Sequence, residues 1–314
     1  MKSINKLKNY IPVLILILIC SVEAKSDINV VTSIKPIHSI ASNIMDGISE
    51  PLLLVEGTTS PHSYVLKPSH VEAINNADLI FFVSDDLETF LERPLSNIGS
   101  KTSVVELIKN EDLFVLKFRE NNIFLGDDHD DHDDHDDHHA HAHGEYDIHI
   151  WLDPFNAKVI ANNIAKELSK IDPENTSTYQ DNRDKFVDRV NETEQKISQQ
   201  LDHYVSYVTF HDAYQYFENR FDVTSSGALT LNPDVLPGAR QLSDVRELIS
   251  DNDIHCIFSE PQFNPKVVEV IADDTNIKMG ILDPLGATFP LGKDHYFGVL
   301  TDIADSLEGC GHDH

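Results

Sequence analysis

The sequence predicts an α/β protein built as two parallel-sheet lobes joined by one long rigid helix. Short apolar runs alternate with amphipathic helical patterns along most of the chain, which argues for parallel strands with helical crossovers. A polar helical stretch of about 28 residues then interrupts the alternation near the middle, with a single narrow apolar stripe.

The elements follow in order. Residues 1–24 read as a secretory signal: Lys2, Lys6 and Lys8, an apolar run from Tyr10 to Cys20, then Val22-Glu23-Ala24 at the cleavage point. The run is about eleven residues, too short for a helix to cross a hydrocarbon layer of ~30 Å. A second reading makes Cys20 a lipidated N-terminal cysteine, against which the bulky Ile19 stands. In the first lobe, residues 25–170, strands are expected at 28–34, 52–55, 79–83, 103–107 and 148–152. Helices are expected at 36–45, 68–76, 85–98 and, opened by Asp153-Pro154, at 154–170. The connecting helix occupies residues 171–202, with Tyr179, Phe186, Val190, Ile197 and Leu201 as its stripe. The second lobe, residues 203–314, has expected strands at 204–210, 254–259 and 278–282. Its helices are expected at 212–220, 241–250, 265–274 and 294–307.

Charge narrows the function. The 314 residues carry 53 acids against 24 Lys and Arg, a net charge of −29. Nucleic-acid binding needs a basic surface, and an anionic membrane face repels such a chain, so both are excluded as partners. Cleavage after Ala24 would leave 21 bases against 52 acids and only two cysteines, Cys256 and Cys310. Two thiols in an oxidising compartment pair.

Histidine points to metal. Residues 127–143 hold eight aspartates and seven histidines (His129, His132, His135, His138, His139, His141, His143) and no base. Such a segment cannot bury apolar surface and is expected as a disordered loop that chelates several ions weakly. Three further histidines stand at strand ends or in the loops after them: His62, His149 and His211, spaced 87 and 62 residues apart. Ligands of open parallel sheets bind outside the carboxyl ends of the strands. Asp283 follows the last expected strand and could add a carboxylate. Enzyme signatures are missing: there is no His-Glu-x-x-His, Gly-x-Ser-x-Gly or Cys-x-x-Cys. The stretch 286–293 has one residue too many between its glycines for a phosphate loop, and reads as a turn.

Motifs in a fixed order then carry a resemblance. They are Ser33-Ile34-Lys35-Pro36, Pro61-His62-Ser63-Tyr64, Lys67-Pro68-Ser69, Ala77-Asp78-Leu79 and His149-Ile150-Trp151-Leu152-Asp153-Pro154. Phe210-His211-Asp212-Ala213, Ser259-Glu260-Pro261-Gln262 and Leu282-Asp283-Pro284-Leu285-Gly286 complete the series. The chain resembles the periplasmic solute-binding proteins of zinc ABC importers, within the wider zinc and manganese group. The resemblance implies a metal site in the cleft between the lobes, with His62, His149 and His211 as ligands and zinc as the transported ion. It implies that Asp283 is a fourth ligand or an acceptor behind one, with Glu260 or water as alternatives for that position. Pro61 stands where some zinc members carry a ligating glutamate. The resemblance also implies a Cys256–Cys310 disulfide, a periplasmic location, no enzymatic activity and a monomer. Its partners would be a transmembrane permease and, indirectly, that permease's cytoplasmic ATPase. Nitrogen-rich ligation favours zinc over manganese.

Overall fold

The computed structural model describes residues 28–124, 145–201 and 205–311. The expected signal segment, Cys20 and the histidines from His129 to His143 lie outside the described residues.

Two four-stranded, all-parallel sheets organise the chain. The first runs in the order β2-β1-β3-β4, from β1 (Val30–Thr32), β2 (Leu52–Leu53), β3 (Leu79–Phe82) and β4 (Ser103–Glu106). The second runs β6-β5-β7-β8, from β5 (Tyr207–His211), β6 (Gly227–Thr230), β7 (Cys256–Ser259) and β8 (Lys278–Ile281). Each sheet therefore changes direction once, beside its first strand, and that is where ligands bind in open parallel sheets.

The helices are α1 (Lys35–Ile44), α2 (Pro68–Asn76), α3 (Glu92–Ser96), α4 (Pro154–Ile171), α5 (Thr176–Gln200), α6 (Gln215–Phe221), α7 (Ala239–Asp251), α8 (Lys266–Thr275) and α9 (His295–Gly311). Side chains alternate across the strands with period two, and the alternation sorts the core into layers. Leu79 and Phe81, with Cys256 and Phe258, face one central apolar cluster shared by both lobes. Ile80 and Phe82 turn to an outer cluster, and Ile257 turns to another against Val245 and Val268 of α7 and α8. The stripe on α5 is buried along its length and packs against α1, α4 and α9.

Three local expectations are corrected. Residues 148–152 form no strand; Ile150–Leu152 is a single 3-10 turn because the Asp147 side chain takes the backbone N–H of His149. The helix expected at 85–98 is reduced to a 3-10 turn, Thr89–Leu91, and the five-residue α3. Pro94 lacks an N–H, and the Glu88 carboxylate takes the N–H groups of Val83 and Ser84, so the chain turns before a helix can start. Strand β6 was not expected at all. It is shielded by residues 122–124, which reach over from the first lobe: Ile123 bridges Gly227 in antiparallel fashion, and Phe124 N–H donates to Ser226 at 2.9 Å. A Cβ on Gly227 would meet the Asn122 carbonyl at 2.7 Å, so only glycine admits this strap.

The lobes are also tied directly. Trp151 Nε1–H donates to the Pro284 carbonyl at 2.7 Å, and the Tyr296 hydroxyl to the Trp151 carbonyl at 3.0 Å. From α1, Lys35 Nζ donates to Ala287 at 2.6 Å and Ser39 Oγ to Gly292 at 2.7 Å. Within the second lobe, Cys256 of β7 is disulfide-bonded to Cys310 at the end of α9.

Candidate metal centre

His62, His149 and His211 meet where the lobes join, each offering one ring nitrogen within 4.8 Å of the other two. Each is delivered by a different device. His62 lies in the 3-10 turn Pro61–Ser63 after β2, where Ser60 Oγ caps the turn by accepting the His62 N–H at 3.2 Å. The Tyr64 hydroxyl, donating to the Leu54 carbonyl at 2.7 Å, pins the end of that turn to the sheet. His149 precedes the turn that leads into α4. His211 is the last residue of β5, and Glu260 follows β7, so that pair sits at the second sheet's switch point.

Carboxylates fix two of the rings. Asp147 Oδ1 lies 2.8 Å from His149 Nδ1, and Glu260 Oε1 lies 2.6 Å from His211 Nδ1. An ionised carboxylate only accepts, so each Nδ1 carries a proton, and Nε2 is the nitrogen left to offer a lone pair to a metal in the pocket. The two Nε2 atoms are 3.3 Å apart. Two lone pairs at that distance repel unless a proton or a cation lies between them. His62 is half-buried, whereas His149 and His211 are buried, so the exposed approach is on the His62 side.

Behind the rings, Asp147 and Glu260 are accompanied by Asp212 and Glu218, all four at or below 3% exposure, and by one base, Arg119. Arg119 bridges Asp212 Oδ1 at 2.8 Å and Glu218 Oε2 at 2.6 Å, with the Phe124 ring over its guanidinium. Burial pushes the Asp212 carboxyl up to about 7 despite the pull of Arg119. For His211, burial alone would lower the pKa, but the charge and hydrogen bond of Glu260, then Asp212 and Asp147, raise it above its ordinary value. The surroundings favour positive charge.

The space at the rings is about 10 Å³, bounded by Trp151, Phe263, Pro284 and Leu285 as well as the imidazoles. That is room for one water-sized body. Three imidazoles, two of them with Nε2 aimed into the pocket by carboxylates, fit a tetrahedral zinc ion as ligand.

Asp283 stands apart from the histidine group. Its Oδ1 accepts from Gln262 Nε2 at 2.7 Å and Leu285 N–H at 3.1 Å, and its Oδ2 from Ala287 N–H at 2.5 Å, bracing the turn around Gly286. Sequence reasoning passed over Asp147 and Gln262. Asp147 could have been found from the Asp-x-His spacing to His149; Gln262 was visible only as part of a motif.

Residues 30–310 match the model of the family described as zinc-uptake complex component A, periplasmic. The chain is 40% identical over 303 residues to the high-affinity zinc uptake system protein ZnuA of Brucella abortus, covering 90% of this chain and 91% of that one. It is 35% identical over 287 residues to the protein of the same name from Yersinia pestis, covering 90% of each. Among solved structures it is similar to the laminin-binding adhesin Lmb of Streptococcus agalactiae, with a TM-score of 0.74 and 26% identity over 90% of this chain and 99% of that one. The fold, the gathered histidines and a match spanning both lobes place the chain in one group: it belongs to the periplasmic zinc-uptake complex component A family.

Proposed function

We propose that the protein captures one zinc ion per chain through His62, His149 and His211 and delivers it to the permease of an ABC importer. The observation that carries this is the pair of carboxylate-held rings, Asp147 to His149 and Glu260 to His211, which leaves both Nε2 atoms facing the same point as His62. On this reading the protein acts as a monomer, and the cytoplasmic ATPase is engaged only through the permease. Residues 1–24 are removed on export, residues 25–170 and 203–314 form the lobes on either side of the connecting helix at 171–202, and the histidines from His129 to His143 bind zinc weakly. Asp283 serves behind the ligands. Catalysis is not part of the reading, because a solute-binding transport component is not an enzyme class. Among the described residues no helix is long and apolar enough to cross a membrane, which fits a protein working beside its permease.

The test is metal analysis of protein purified without added metal, followed by competition with a chelator. One tight equivalent is expected. His211→Ala should weaken it at least tenfold, about 1.4 kcal/mol, because the site must then recruit water. Several weak equivalents and no tight one would leave only a metal buffer.

A further inference from the structure

Gln262 lines the pocket beside the three imidazoles, and its amide is fixed from behind. The atom 2.7 Å from Asp283 Oδ1 must be the amide nitrogen, since a carboxylate oxygen can only accept. The amide is planar, so Oε1 is turned away from Asp283. That oxygen is buried and has no hydrogen-bond partner. Glu260 presents a second such atom: its Oε1 is committed to His211, and its Oε2 is buried without a partner. A buried acceptor left unpaired is costly and rare in a native fold. Both residues line one small pocket, and two unpaired acceptors there suit a donor with two protons.

We propose that Gln262, aimed by Asp283, acts with Glu260 Oε2 to hold the water that fills the fourth position on the bound zinc. This rests on the zinc-capture reading above. A metal-bound water has two O–H groups, one for each acceptor, and polarisation by the ion strengthens both bonds. Gln262 then has a second consequence. Together with the N–H groups of Leu285 and Ala287 it holds the Asp283 carboxylate apart from the histidine group, so the ion meets three neutral nitrogens and a neutral oxygen. A harder ion such as manganese gains most from a carboxylate ligand and is denied one. Gln262 is thus a positioning residue that sets selectivity without charge.

The experiment uses the mature chain with zinc and, as a spectroscopic probe, cobalt(II). Gln262→Met keeps length and bulk but removes both amide groups; Asp283→Ala leaves the amide in place but unaimed. Gln262→Met should lose about tenfold in zinc affinity by chelator competition, the low end for residues that orient a metal's ligands. Its cobalt d–d bands should move from those of the wild type, and Asp283→Ala should move them in the same sense. A role in folding alone would lower the melting temperature of the metal-free variants and leave the cobalt bands unmoved. Wild-type affinity and wild-type bands in Gln262→Met would overturn the assignment. A wild-type chain that takes up neither ion at one equivalent would instead overturn the capture reading itself.

Discussion

One oxygen of Glu260 holds His211 at two points, accepting its backbone N–H at 3.2 Å and its ring Nδ1–H at 2.6 Å. Asp147 Oδ1 holds His149 in the same way, at 2.9 and 2.8 Å. The two-point grip fixes ring orientation and tautomer together. It lets histidines from different lobes present the same nitrogen without needing each other as support.

Glu260→Ala is therefore expected to weaken zinc binding by about 10- to 100-fold while all three histidines remain. Asp147→Ala should do the same through His149. Chelator competition measures both, and unchanged affinity in either variant would remove that carboxylate from the site.

Acid should oppose the ion through His211. Its raised pKa means that its contribution to metal-free stability is fully present below the unfolded value near 6.5 and fades as pH rises through the folded value. The zinc contribution runs the other way, because the proton and the ion compete for the same ring. The rise in melting temperature on adding zinc should be larger at pH 8 than at pH 6. In His211→Ala the metal-free melting temperature should depend less on pH. Scanning calorimetry at the two pH values decides; a larger zinc effect at pH 6 would contradict the scheme.

Arg119→Ala leaves Asp212 and Glu218 buried without their cation, and the Arg119 side chain is only 21% exposed. A loss of about 3–5 kcal/mol is expected, as for other buried pairs broken from one side. Adding Asp212→Asn should recover part of it. Denaturant unfolding reads the loss, and a change below about 1 kcal/mol, the size seen for exposed pairs, would show the cluster to be well hydrated.

Reducing the Cys256–Cys310 bond opens a loop of 54 residues. The chain-entropy model puts its contribution at ~4 kcal/mol. Stability should fall while the zinc equivalent stays bound, because neither sulfur is among the gathered ligands. Release of zinc on reduction would tie the bond to the site.

Deleting residues 127–143 should abolish the weak zinc equivalents and spare the tight one. The flanks are anchored independently of what lies between them: Phe124 to Ser226 at 2.9 Å on one side, and Lys117 to Tyr146 by an antiparallel bridge on the other. Loss of the tight site would make the insertion a primary ligand.

Much of this was legible before the structure. The stripe on α5 could be read from its 7, 4, 7, 4 spacing, because one narrow face is all that a helix packed on one side needs. The apolar runs of β3 and β7 announced buried parallel strands by continuity alone. Strand β6 escaped because Gly227-Ala228-Leu229-Thr230 has neither length nor period, and its burial depends on a strap from far upstream. The three histidines drew attention by their place near strand ends and by the motif order around them. What Asp147, Glu260 and Gln262 do could not be read, since the direction of a hydrogen bond to an imidazole or an amide belongs to three-dimensional neighbours.

The central apolar cluster takes residues from both sheets, from Val30 and Phe81 to Tyr207 and Phe258, together with the α5 stripe. The two lobes share this one cluster, so they should melt together. Heating should give a single calorimetric transition whose van't Hoff and measured enthalpies agree. An ion bound at the junction then stabilises the whole chain at once: at a free concentration a thousand times its dissociation constant, by about 4 kcal/mol.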